Sequence, residues 1–199
     1  MKTVLVTGGI GSGKTAVCAY LASKGVMIYD ADGMTKSLYD RRPVLVRMIE
    51  ETLGRPLRDS SGRLDRAALA GIIFSDPAAL AQVENIVHPA VLQDFLEWKD
   101  GLDSAWCGYG TTPFAVMESA LASDKPLFDG VCDKIVLVDA PERIRIARAA
   151  ERDHTSPEKI IMRMRAQHFD RSKADRTIIN DADLHTLHRR IGAAFRRLW

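Results

Sequence analysis

The chain has 199 residues, 46% hydrophobic and 27% charged, with a formal net charge of +2 at pH 7. That balance fits one soluble globular domain with a sizeable core; no apolar run is long enough to span a bilayer, and a nearly neutral chain without an aromatic-plus-basic platform argues against nucleic acid as a partner. The N-terminus carries no basic-then-apolar leader, which points to the cytoplasm, and Cys18, Cys107 and Cys132 have neither Cys-x-x-Cys nor zinc-ligand spacing, so Cys18 reads as a small core residue with a reactive thiol as the alternative.

Thr3 to Thr7 (TVLVT) has the composition of a buried strand. Directly behind it, Gly8 to Thr15 read GGIGSGKT, a complete G-x-x-x-x-G-K-[ST] phosphate loop, and Lys14 to Lys24 place Val17, Tyr20 and Leu21 at helical spacing before Gly25. Val26 to Tyr29 is a short apolar strand ending at Asp30. Ala31 to Leu53 reads as helix, with Pro43 starting a new helix or kinking the old one. A hairpin-like or irregular stretch, Gly54 to Gly62, precedes a helix over Asp65 to Phe74. Asp76-Pro77 opens another, to about Trp98, with a break expected near His88-Pro89. Phe114 to Met117 and Lys134 to Val138 are strands. Asp139-Ala140-Pro141-Glu142 reads as a capped helix start, and Thr155 to Glu158 repeats the device before a helix over Lys159 to Phe169. Arg176 to Ile179 is a last strand closed by Asn180, and Asp183 caps a C-terminal helix.

Strands alternating with crossover helices predict an α/β fold with a parallel sheet, which binds ligands at the carboxyl ends of its strands. In the loop, Gly8, Gly9, Ile10, Gly11, Ser12 and Gly13 supply backbone N–H groups that converge on an anion, and the amide of Ala16 points the same way. Lys14 adds a charge for the outer phosphates, and the Thr15 hydroxyl is placed to ligate Mg²⁺. Asp30 and Asp32 follow the second strand; they face one way if the strand persists and diverge if a helix begins. One of them accepts a proton from an attacking hydroxyl, with Asp32 preferred. From Pro141 to Trp199 lie 14 of the 28 Lys and Arg residues. Arg145, Arg148 and Arg152 fall on one helix face, with Ile144 and Ala147 turned inward, and Arg163 or Arg165 follow on the next helix. Such cations suit a transferring phosphoryl group, whose charge spreads over its equatorial oxygens.

The segments TGGIGSGKT (Thr7 to Thr15), YDADGMTK (Tyr29 to Lys36), LGRPLRDSSGRLDRAALAGIIFSDPAAL (Leu53 to Leu80), ENIVHP (Glu84 to Pro89), LVDAPERIRIARAAERD (Leu137 to Asp153), RMRAQ (Arg163 to Gln167) and ADRTIIND (Ala174 to Asp181) resemble the dephospho-CoA kinase family in order and spacing. The resemblance covers nearly the whole chain. It implies a three-layer phosphate-loop kinase fold with a central parallel sheet in one domain, residues 1–199. Within it, 1–30, 104–142 and 170–199 form the core, about 31–103 a helical substrate insertion and about 143–169 a small lid. It implies transfer of the γ-phosphoryl of ATP to the ribose 3′-hydroxyl of dephospho-CoA, with Mg²⁺, in a monomer or weak homo-oligomer. By position, Asp32, Lys14 and Arg148 are catalytic, Arg152 and Asn180 join the nucleotide site, and Asp30, Arg66, His88 and Arg163 face the acceptor. A related small-molecule or nucleoside monophosphate kinase is the alternative. One stretch departs from the family pattern: Ala115 to Asp124 replaces a Pro-Leu-Leu-Phe-Glu-like segment, which leaves open whether Glu118 or Asp124 lines the pocket.

Overall fold

Among the residues described by the computed structural model, 1–102, 114–120, 122–165, 167 and 170–198, five apolar runs pair into one parallel sheet. They are β1 (Lys2–Thr7), β2 (Met27–Asp30), β3 (Phe114–Glu118), β4 (Lys134–Asp139) and β5 (Arg176–Ile179), in the spatial order β2-β3-β1-β4-β5. The chain divides into two compact units, Met1–Asp30 with Leu102–Trp199, and Ala31–Gly101. Cys107 lies outside the described residues.

The first unit is an α/β layer structure. β1 is buried from Thr3 to Thr7, as expected of a central parallel strand covered on both faces. Val4, Val6, Val116, Val136 and Val138 form a core with Val17 and Leu21 of α1 (Lys14–Ala22) and with Leu187, Ile191 and Phe195 of α8 (Leu184–Phe195). The α8 residues recur every fourth position, so one stripe of that helix faces the sheet, and Asp183 caps it by accepting from the Thr186 amide. Two further helices, α6 (Glu142–Asp153) and α7 (Pro157–Arg165), connect the neighbouring strands β4 and β5 along the chain. The described part of α7 stops short of the extent expected from sequence; Phe169 is outside the described residues.

The second unit is helical: α2 (Ala31–Arg41), α3 (Pro43–Leu53), α4 (Arg66–Ser75) and α5 (Pro77–Asp100). Pro43 starts α3 at its first position, and Asp65 and Asp76 cap α4 and α5 through backbone amides. The expected break at His88-Pro89 does not occur; α5 is continuous over 24 residues. Pro89 removes one helical hydrogen bond, at a cost of about 3 kcal/mol. Val83, Val87, Val91 and Phe95 continue the buried stripe across it, where α5 packs against α2, α3 and α4. Packing overrides the local breaker, and Pro89 itself points to solvent. Asp94, almost fully buried on the same helix, accepts from the two terminal guanidinium nitrogens of Arg41 at 2.9 and 3.2 Å.

Two further local expectations are corrected. Asp139 does not cap α6, whose N-cap is Pro141 without a side-chain hydrogen bond; its carboxylate instead meets Arg171 at 2.7 Å and Arg145 at 3.8 Å. On α6 the inward residue is Ala149, and Ala147 is exposed. The partly buried side is the one bearing Arg145 and Arg148, so the arginines do not simply decorate a solvated face.

Candidate functional site

The loop between β1 and α1 is shaped by its protein neighbours. Gly11 has φ +74°, and a Cβ there would overlap the backbone carbonyl of Arg145; at Gly8 it would overlap the carbonyl of Val138. The glycines expected to open the backbone to phosphate thus also admit β4 and α6 at van der Waals range. Gly13 caps α1 in the left-handed conformation, and Asn180 crowds it from the far side.

Side chains complete the loop. Lys14 Nζ donates to the Gly8 carbonyl at 2.7 Å, so its ammonium curls back along the loop. Asn180, 5% exposed, donates from Nδ2 to the Ser12 carbonyl at 2.9 Å, and its own carbonyl accepts from Arg148 at 2.9 Å. Arg148 is therefore fixed beside the start of α1 through Asn180. Arg145 Nε donates to the Ile10 carbonyl at 3.0 Å, and the Ile10 amide donates to Gln167 Oε1 at 2.9 Å. Neither Arg145 nor Gln167 was singled out for the loop from sequence, because each lies more than 130 residues from it along the chain.

Glu118 closes the other flank. It ends β3 in parallel register with Val6 on one side and Asp30 on the other. Thr15 Oγ1 donates to Glu118 Oε1 at 2.8 Å. The signal for it was an apolar strand run that stops on an acid, legible only once β3 is known to lie beside β1. Two hard oxygen groups at the head of α1 suit Mg²⁺, which keeps several waters and takes few protein ligands when it binds with a nucleotide. No cluster of three or more His, Cys, Asp or Glu side chains stands ready for an all-protein metal cage among the described residues. One turn further on, burial and the nearby Glu118 carboxylate push the Cys18 thiol far up, which leaves it protonated and a core residue.

The remaining arginines of α6 and α7 are more exposed. Arg152 and Arg163 share Asp153, each at 2.8 Å. The hydrogen bond from Arg152, then Arg163, holds the Asp153 carboxyl below the usual carboxylate range. Asp139, Arg145, Arg165, Gln167 and Arg171 line a cavity of about 320 Å³ that reaches Gly9.

Asp30 ends β2, and α2 begins at the next residue, so Asp30 and Asp32 leave from a strand end and a helical first turn, and the shared-face geometry does not form. Both are exposed. Within the second unit, Arg66 pairs with Asp40 at 3.0 Å and donates to the Lys36 carbonyl at 2.8 Å. It lines a polar cleft of about 430 Å³ with Asp40, Asp59, Arg63 and Asp65. His88 is half-buried on α5.

Comparison with known proteins adds independent findings. The family model described as dephospho-CoA kinase matches residues 2–186. A dephospho-CoA kinase of Porphyromonas gingivalis is 38% identical over 184 residues, 90% of this chain and 86% of that protein. The crystal structure of TT1252 from Thermus thermophilus superposes with a TM-score of 0.80 at 30% identity, covering 100% of this chain and 98% of that one. A dephospho-CoA kinase from Campylobacter jejuni shares the fold, with a TM-score of 0.67 at 23% identity over 96% of this chain and 94% of its own.

Proposed function

We infer the reaction from one premise: the chain belongs to the dephospho-CoA kinase family. It phosphorylates dephospho-CoA with ATP, giving CoA and ADP, the last step of CoA biosynthesis. The observation that carries this reading is the extent of the family match, residues 2–186, which takes in the helical residues 31–101 as well as the phosphate loop. The acceptor is the ribose 3′-hydroxyl, as in the family reading above. Its oxygen attacks the γ-phosphorus, its proton passes to the Asp32 carboxylate, and the bond from γ-phosphorus to the bridging oxygen breaks to release ADP.

In this reading the loop from Gly8 to Ala16 holds the phosphates of ATP, with Lys14 on the outer ones. Arg148 and Arg152 supply cations to the transferring group, and Arg163 faces the acceptor from the segment about 143–169, which acts as a lid. Asn180 supports the nucleotide site by fixing both Ser12 and Arg148. The helical insertion receives the acceptor, with Asp30, Arg66 and His88 as candidate contacts. Thr15 and Glu118 would hold Mg²⁺, which when bound neutralises charge on the β- and γ-phosphate oxygens. Among the described residues no helix is long and apolar enough to cross a membrane. We place the reaction in the cytoplasm.

The test is ADP release by purified protein with ATP and, in separate reactions, dephospho-CoA, AMP, CMP or pantetheine 4′-phosphate. Turnover is expected with dephospho-CoA. Turnover with a nucleoside monophosphate and none with dephospho-CoA would overturn the acceptor assignment. Glu118→Gln keeps the shape and removes the charge beside Thr15. It is expected to raise the Mg²⁺ concentration giving half-maximal rate by about 10- to 100-fold, the usual cost of removing a supporting metal-site carboxylate. An unchanged Mg²⁺ titration would remove Glu118 from the metal site.

A further inference from the structure

We propose that Gln167 and Arg145 clamp Ile10, one through its N–H and the other through its carbonyl, making Gln167 a positioning residue that keeps the phosphate loop in register with α6 and α7. The proposal rests on the reading of the loop as the phosphoryl-donor site and adds a residue to it.

An anion-binding loop is expected to spend its N–H groups on the anion. The Ile10 N–H goes instead to the carboxamide oxygen of Gln167, at 2.9 Å. The carbonyl of the same residue accepts from Arg145 Nε at 3.0 Å. Gln167 stands two residues past the end of α7, and Arg145 is in the first turns of α6. One residue is thereby tied to α6 and to the segment leaving α7, and the two helices between them carry Arg148, Arg152, Arg163 and Arg165.

The surroundings support the clamp on each side. A Cβ at Gly9 would overlap the Arg145 guanidinium, and one at Gly11 would overlap the Arg145 carbonyl, so the loop is cut to receive that residue. Asp139, 13% exposed, lies 3.8 Å from Arg145 and 2.7 Å from Arg171, which sets the guanidinium from behind. Gln167 faces the cavity shared by Arg145, Arg165 and Arg171. Phosphoryl transfer depends on alignment, and a small misplacement of loop against cations costs rate more than binding.

Two variants and two readouts test this. Gln167→Met keeps the length and removes the oxygen; Gln167→Glu keeps an oxygen at the same reach, among arginines that offset its charge. Amide hydrogen exchange at Ile10 reads the clamp directly and needs no substrate. In Gln167→Met, Ile10 is expected to exchange about tenfold faster and kcat to fall about tenfold, with the KM for ATP within about threefold of wild type, the scale of one net hydrogen bond. Gln167→Glu is expected to restore Ile10 protection and to return kcat to within about threefold of wild type. Unchanged Ile10 exchange in Gln167→Met would overturn the clamp. Faster exchange with unchanged kcat would overturn the positioning role. Absence of wild-type turnover with dephospho-CoA would instead sink the acceptor assignment, while Ile10 exchange would still decide the clamp.

Discussion

Asp32→Asn is expected to lower kcat by about 10³-fold while leaving ATP affinity within about threefold, the range for loss of a positioned general base. Asparagine matches the shape of aspartate but does not accept the proton of the attacking hydroxyl. The substitution also removes an acid from the first turn of α2, where it meets the positive end of the helix dipole; that costs about 0.3–1 kcal/mol of stability and is read separately as a small drop in Tm. Asp30→Asn is the matched control. Asp30 ends β2 in register with Glu118, so its carboxylate belongs to the sheet edge and not to the helix that carries Asp32. A small effect of Asp30→Asn on kcat is expected. If Asp32→Asn kept full activity and Asp30→Asn abolished it, the two roles would be exchanged.

The parts of this protein legible in the sequence are those whose causes are local. GGIGSGKT between an apolar strand and an amphipathic helix needs no distant partner to be recognised, and the Asp76 and Asp183 caps follow from short-range hydrogen bonding. The family resemblance extended that reading to the helical segment, and the parallel sense of the sheet followed from the alternation of elements, while its strand order β2-β3-β1-β4-β5 did not. What escaped depends on contacts across the chain. Pro89 reads locally as a break, yet the stripe from Val83 to Phe95 keeps α5 whole. Asp139 reads as a cap before Pro141, yet Arg171 and Arg145 claim its oxygens.

The α6 arginines show the same limit from another side. Their spacing identified a common face but not the direction of that face, because charged residues default to solvent in a pattern analysis. The phosphate loop reverses the default: Arg145 donates to Ile10 and Arg148 to Asn180, so two of the three arginines on the predicted face turn toward the loop. Arg152, farther along, turns to Asp153 and remains exposed. Glu118 was visible only as an open question in an atypical stretch. Its register beside Val6 and its hydrogen bond from Thr15 connect that stretch to the head of α1.

Lys14→Ala is expected to lower kcat/KM for ATP by about 10²- to 10³-fold, the scale seen when a single preorganised charge or donor is removed from a transition state. The ammonium now rests 2.7 Å from the Gly8 carbonyl, which shows that the stem reaches the mouth of the loop without leaving its own helix. Truncation removes that contact too, at about 0.5–1.5 kcal/mol, so the variant should remain folded with a slightly lower Tm. Lys14→Arg separates charge from geometry. It keeps the positive charge but replaces a compact ammonium with a planar fork, beside a loop already crowded by Arg145 and Asn180. Rescue by arginine is therefore expected to recover less than about a tenth of wild-type kcat/KM. Because the lysine charge acts on the outer phosphates, loss of affinity should be larger for ATP than for AMP in direct titrations. Equal loss for both nucleotides would place Lys14 in the architecture of the loop alone, and retention of kcat/KM within about threefold by Lys14→Ala would remove the loop from the donor site.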